Sequence, residues 1–315
     1  MSRYIIKRLL MAIPVLIGIT IIDYALMCAA GSPLEMMVGA RFSQSALELK
    51  AAQLGLNQPI YVQYFYWLME LLQGNLGTSI KTYQSVSTMI GSHIGPTLLL
   101  MGTSLILSLV IALPVGIYSA VNQYSKKDFT IVTTSFVASS IPSFFLSLIF
   151  IYLFALVLKW LPSSGMTTLG ADFNFLDLLA HMALPVSVLT LSLAGSNIRY
   201  IRTSMLEILQ KDYLKAALAK GIGKRKVLWK HAFKNALLPI ISVIGMQIPM
   251  LFGGAVVVEQ VFSWPGLGLL MTSAITSRDY PVIMGVCLLS AVVVLVANLL
   301  TDIAYVLVDP TVKLK

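Results

Sequence analysis

The chain has 315 residues, of which 57% are hydrophobic and only 11% charged, with a formal net charge of +9. A water-soluble domain carries about a quarter charged residues, so water is the wrong solvent for most of this surface. The basic residues gather beside apolar runs, where they set membrane topology, and this argues against a nucleic-acid partner.

A helix needs about 20 apolar residues to cross a bilayer, and only helices or closed barrels satisfy their backbone groups there. The apolar runs here are far too long for barrel strands. In chain order, Arg3, Lys7 and Arg8 precede the first run, Leu9 to Ala30. That run exceeds the apolar core of a secretory signal and lacks a small-x-small cleavage site, so it reads as a retained first span. Further spans are expected at about 97–121, 133–158, 179–198, 236–258 and 281–306. Pro14, Pro114, Pro142, Pro185 and Pro249 fall within them, either as ordinary kinks or as bending points.

Residues 31–96 form the long loop on the outer side. Ser45 and Glu48 have capping-box spacing before an amphipathic stretch that Gly55 can end. Pro59 suits a helix first turn, after which Ile60, Tyr64, Trp67, Leu68 and Leu71 make one apolar face; Gly74 and Gly77 end that segment. Two short helices are expected at the extracellular mouth, as a structural cap or as a docking surface.

Six spans put both termini on one side. Of 22 Lys and Arg, seventeen fall at the N-terminus, in 122–132, in 199–235 and in the C-terminal tail. The five others are Arg41, Lys50, Lys81, Lys159 and Arg278. The bias places both termini and the 199–235 loop in the cytoplasm, and Trp160 at the outer interface.

Chemistry is sparse. Gly221, Gly223 and Lys224 come closest to a phosphate loop, but the GxxxxGK[ST] spacing fails at Leu218 and Arg225. His93, His181 and His231 stand in separate segments, without metal-ligand spacing. His181, opening the fourth span, reads as a hydrogen-bonded helix-end residue. Cys28 and Cys287 read as packing residues. Asp23 and Asp302 lie near span ends and Glu259 just past the fifth span. Span centres are nearly free of charge, so a carboxylate relay for an ion-driven transporter is not expected.

The 199–235 loop is the one large cytoplasmic element. Ser204 to Lys220 reads as a helix with Met205, Ile208, Leu209, Ala216 and Ala219 on an apolar face. Gly221-Ile222-Gly223 breaks it, and a second helical stretch starts near Lys224, carrying Val227, Leu228, Trp229, Ala232 and Phe233. This pattern suits either a helix entering a groove on another protein or a basic hairpin lying on lipid headgroups.

DYLKAALAKG (Asp212 to Gly221) and HAFKNALLP (His231 to Pro239) resemble the EAA-type coupling loop of ABC importer permeases, in the form of the dipeptide/oligopeptide/nickel family. The likeness extends along nearly the whole chain. It takes in RLLMAIPVLIGITII, LGLNQPIYVQYFYWL, GNLGTSI, IPSFFLSLIFIYLFA, LPSSGM, GGAVVVEQVFSWPGLG, RDYPVIMGV and the closing Asp309-Pro310.

The resemblance implies an all-α membrane protein with six transmembrane helices, a type I ABC importer-like permease forming a single domain over 1–315. It implies a bacterial plasma (inner) membrane location. It also implies a second homologous permease, two ATPase subunits that bind ATP and Mg, and an extracytoplasmic substrate-binding protein, with no cofactor or catalysis in this chain itself. By the same resemblance, Asp212, Lys215, Ala216, Ala217, Gly221, Ile222 and Gly223 dock into an ATPase groove. Lys215 replaces the Glu of the general pattern, as in the peptide-type variant, and Gly31-Ser32-Pro33 replaces a usual Gly-Asp-Pro. Small peptides are the expected cargo, with nickel or a metal chelate as the alternative and a secondary transporter or channel as a reading from another class. Ser242 and Gln247, polar in the fifth span, are candidates either for the pathway or for bonds between helices.

Overall fold

A computed structural model describes residues 2–29 and 58–308. The Ser45–Glu48 capping box, Gly55, Gly31-Ser32-Pro33 and Asp309-Pro310 lie outside the described residues. The described elements are helices: α1 (Ser2–Ala29), α2 (Ile60–Leu72), α3 (Val86–Val121), α4 (Lys126–Ser140), α5 (Ser143–Phe150), α6 (Phe175–Leu209), α7 (Asp212–Ala219), α8 (Lys224–Lys226), α9 (Lys234–Val261), α10 (Leu267–Thr276) and α11 (Tyr280–Val308). Wider π-helical turns continue α5 through Ile151–Val157 and lead from α8 into α9 through Val227–Phe233.

Among the described residues, five helices are long and apolar enough to cross a membrane, and α4 with the α5 segment makes six if that bent pair is one span. The span expected at 133–158 bends at Pro142 far beyond an ordinary kink: Lys126–Ser140 and Ser143–Val157 meet at 93°. Proline explains the break. Pro142 disfavours helical geometry in the residue before it, and Ile141 is extended at φ −75°, ψ 124°. Pro14, Pro96, Pro114 and Pro185, by contrast, stay inside their helices.

The chain divides into two compact units. The first holds residues 1–95 and 270–296, the second 96–269 and 297–315. In the first, α2 packs on α1 through aromatic side chains. Tyr24 lies 5.6 Å from both Tyr64 and Trp67, and Thr20 shares a 2.9 Å hydrogen bond with the Tyr64 hydroxyl. Of the expected apolar face, Tyr64, Trp67, Leu68 and Leu71 are half-buried, whereas Ile60 is exposed. The α2 helix ends as glycine ends helices. Gly74 takes φ +84°, its N–H donates to Leu71 O, and the Asn75 N–H donates to Glu70 O. Beyond it, the buried Asp279 at the start of α11 accepts from Ser79 Oγ and, at 3.1 Å, from the Ile80 N–H, pinning the 79–82 turn.

In the second unit, two cores run along α3, α6 and α9. One gathers Leu100 and Met101 with Met182 and Val188, closed by Val258, Phe262 and Trp264. The other joins Ala112 and Ile117 of α3 to Ile201 and Met205 of α6 and to Ala236 and Ile240 of α9. Close helix approach depends on glycine. A Cβ at Gly195 would stand 2.6 Å from Ser135 O of α4, and one at Gly116 would stand 2.8 Å from the Ile201 side chain. In the N-terminal part of α6, the buried His181 places Nδ1 3.0 Å from Ser164 O, the helix-end role expected of it.

Candidate functional site

The helix expected from Ser204 to Lys220 is two helices. The α6 helix stops at Leu209, Lys211 is extended, and Asp212 opens α7. The break re-aims the apolar residues. Met205 packs in the second core as part of α6, but Ala216 and Ala219 face outward, and Leu214 and Ala217 take the inward positions. Leu214 is 2% exposed. The expected single apolar face is thus split in two, because two extended or capping residues rotate everything after them.

The α7 helix is closed by a glycine turn. Gly221 takes φ +79°, its N–H donates to Leu218 O, and the Ile222 N–H reaches back to Ala217 O at 3.2 Å. Ile222 and Ala217 both pack against the second core, which completes this helix-ending motif. The N–H groups of Lys226 and Val227 both donate to Gly223 O. The Gly221 and Ile222 amides are committed to carbonyls of α7, so these two do not serve a phosphate cradle, and no step of ATP hydrolysis is placed on the turn.

Outside the turn there is space. A Cβ at Gly221 or at Gly223 would meet nothing within 4 Å. Asp212, Lys215, Ala216, Gly221 and Gly223 are exposed, while Ala217 and Ile222 are half-buried. Lys215 Nζ lies 2.8 Å from Asp212 Oδ1, and this hydrogen bond holds the Asp212 carboxyl below its ordinary range. Tyr213 accepts a 3.0 Å hydrogen bond from Asn235 Nδ2 in the first turn of α9, a second tie between α7 and the bundle. The seven residues named from sequence therefore form one exposed ridge with its inner edge sunk in the core of three long helices.

Ser242 and Gln247 are not brought together. Ser242 Oγ donates to Leu238 O, one turn back in α9. Gln247, buried, donates from Nε2 to Asn197 Oδ1 of α6 at 2.6 Å. Asn197 is a polar residue of the expected fourth span that sequence reasoning passed over, and its only signal was an amide within an apolar run.

Three buried carboxylates were also underread. Glu259 is not past the fifth span but inside α9, and it is fully buried. Its Oε1 accepts from Thr97 Oγ1 at 2.7 Å, and its Oε2 accepts from the Gly268 N–H at 2.7 Å and the Leu269 N–H at 3.2 Å. A carboxylate at the first amides of α10 is where a helix favours negative charge. A Cβ at Gly266 would overlap that carboxylate, which explains the glycines of the PGLG stretch. Asp279, at the start of α11, pins the 79–82 turn as described above, and Asp128 opens α4 beside Arg202 of α6. All three acids are structural ties. Among the described residues, no group of three His, Cys, Asp or Glu could hold a metal ion.

Comparison with known proteins follows the same outline. Residues 112–314 match the family "Binding-protein-dependent transport system inner membrane component", and residues 1–94 match the N-terminal part of such a membrane component. The chain is 46% identical over 316 residues to the oligopeptide transport system permease protein AppB of Bacillus subtilis, covering 99% of this chain and 100% of that one. It is 35% identical to the dipeptide permease DppB of Alkalihalophilus pseudofirmus, covering 99% and 100%. It is 34% identical to the glutathione permease GsiC of Salmonella choleraesuis, covering 100% of both. Among solved structures, a chain of the MetNI methionine ABC transporter in inward-facing conformations superposes with a TM-score of 0.58 at 19% identity, covering 70% of this chain and 96% of that one. That likeness concerns the fold.

Proposed function

The chain belongs to the family of binding-protein-dependent transport system inner membrane components, and from that membership we propose that it is the permease subunit of an ATP-driven importer of di- or oligopeptides. Relatives named for oligopeptides, dipeptides and glutathione support a peptide cargo over nickel or a metal chelate. It forms half of a translocation pathway with a second, homologous permease. Two ATPase subunits supply the energy, carrying ATP and Mg, and an extracytoplasmic binding protein delivers the cargo. This chain catalyses nothing itself. It lies in the bacterial plasma membrane with both termini in the cytoplasm, on the strength of its asymmetric basic residues.

One observation carries the coupling step. Leu214 of α7 is sunk in the core that α3, α6 and α9 share, while Ala216 and Ala219 of the same short helix, and Gly221 in the turn that closes it, stay exposed. An ATPase groove that takes the exposed ridge has a grip on all three spans. Asp212 and Lys215 neutralise each other at the start of the ridge, and Ala217, Ile222 and Gly223 shape its turn. Closure of the ATPases then tilts the spans between inward-open and outward-open states. Gln247 belongs to the pathway, with Ser242 more than a turn earlier in α9.

The test is co-purification of this subunit with its permease and ATPase partners, then ATPase assay in lipid with peptide-loaded binding protein. Stimulation by loaded and not by empty binding protein is expected. Transport that persists without any ATPase would overturn the reading in favour of a secondary transporter or channel.

A further inference from the structure

Gln247 stands midway along α9, and a ladder of three side chains decides which way its amide points. Ser108 Oγ of α3 donates its proton to Leu105 O at 2.8 Å, so toward Asn197 it can only accept. Asn197 must therefore present its Nδ2, which lies 3.2 Å from Ser108 Oγ, and this turns Asn197 Oδ1 toward Gln247. Oδ1 in turn requires a donor, and Gln247 Nε2 supplies it at 2.6 Å. A flip of Gln247 would set two acceptors against each other. The chain of donors thus leaves Gln247 Oε1 facing away, buried and without a hydrogen-bond partner.

A buried acceptor left without a partner is costly, and such groups in native proteins call for an explanation. Asn197 is 2% exposed and Gln247 9%, so solvent does not relieve the cost here. A small cavity of about 10 Å³, lined by Leu109, Asn197, Ile240 and Val243, lies beside Asn197 and one turn along α9 from Gln247. The helices that carry the ladder are the ones whose shared core anchors α7.

We propose that Gln247 Oε1 is the acceptor for a backbone N–H of the transported peptide, held ready by Asn197 and Ser108 as positioning residues. This rests on the peptide-importer reading. The oxygen is covered in this conformation and meets its donor when the helices separate during transport. An amide carbonyl suits a cargo of varied side chains, because every peptide offers N–H donors whatever its sequence.

The test uses the assembled transporter in liposomes with its binding protein. Uptake is measured for a short peptide and for analogues N-methylated at each amide, with the binding protein's own discrimination divided out. The wild type is expected to prefer the peptide about tenfold over one analogue, the size of one net hydrogen bond. In Gln247→Leu the preference falls to about one, and in Ser108→Ala, a smaller change that frees the ladder to flip, it falls part of the way. Should Gln247→Leu not assemble, Ser108→Ala carries the test alone. Equal loss of uptake for peptide and analogues would overturn the proposal and make the ladder a tie between helices or a water site. Wild-type complex that takes up no peptide at all would instead overturn the importer reading, and this role with it.

Discussion

Arg202 holds Asp128 with both arms of its guanidinium, Nε to Oδ1 at 2.7 Å and Nη2 to Oδ2 at 2.8 Å. The carboxylate also accepts from Ser119 Oγ and from the Tyr124 N–H, so the turn between α3 and α4 is tied to α6 at one point. Asp128 is 3% exposed. Removing one partner of a buried pair strands the other charge, at about 3–5 kcal/mol. Asp128→Ala should therefore lower thermal stability in detergent sharply. Asp128→Leu combined with Arg202→Met should recover much of the loss, and failure of the pair to recover would show that the ion pair is not what Asp128 contributes.

Gly195 and Gly91 make opposite predictions. A methyl at Gly195 meets α4 backbone at 2.6 Å, whereas a methyl at Gly91, in α3, meets nothing within 4 Å. Gly195→Ala is expected to cost about 1–3 kcal/mol through forced separation of α4 and α6. Gly91→Ala should stabilise by up to about 1 kcal/mol, because alanine is the better helix former. Unfolding midpoints of the two variants, measured side by side, decide this.

Glu259→Gln removes the negative charge from the first amides of α10 and, with its carbonyl kept on those amides, sets an NH2 group against the Thr97 hydroxyl that donates there. A loss of about 2 kcal/mol or more is expected, since the group is fully buried. Gly266→Ala should be comparably damaging by crowding the same carboxylate. Heat-induced aggregation of purified variants is a sufficient readout, and wild-type behaviour of both would remove Glu259 as the tie to α10.

Gly221→Asp tests the proposed coupling. The position has φ +79° but open space around it, so the substitution costs the fold only about 1 kcal/mol of backbone strain. Peptide-stimulated ATPase should nevertheless separate from transport, because the new carboxylate stands on the docking ridge. Gly221→Asn, which accepts the same backbone without charge, isolates the contribution of bulk. Full coupling in the Asp variant would count against the ridge as the ATPase contact.

Five apolar spans, and the bent pair that stands where the sixth was expected, were readable from the sequence because hydropathy over some 20 residues is a long, redundant signal. The helix-ending role of Gly74 and Gly221 was equally legible, since few residues other than glycine tolerate a positive φ. What escaped was decided by single residues acting at a distance. Pro142 made a sharply bent pair of a span in which a kink was expected, and the extended Lys211 rotated Ala216 and Ala219 outward. Asn197 and Glu259 looked like stray polar residues because their partners, Gln247, Ser108 and Thr97, are far along the chain.

The α7 helix is only eight residues long. A helix of that length is marginal by itself in water, so it owes its shape to Leu214, Ala217 and the turn at Gly221. It behaves as a boss cast into the bundle rather than a rod attached to one. On the proposed coupling, a load applied there is shared among three helices from the outset. The same construction sets a ceiling: a pull strong enough to free Leu214 would melt the handle before it moved the machine.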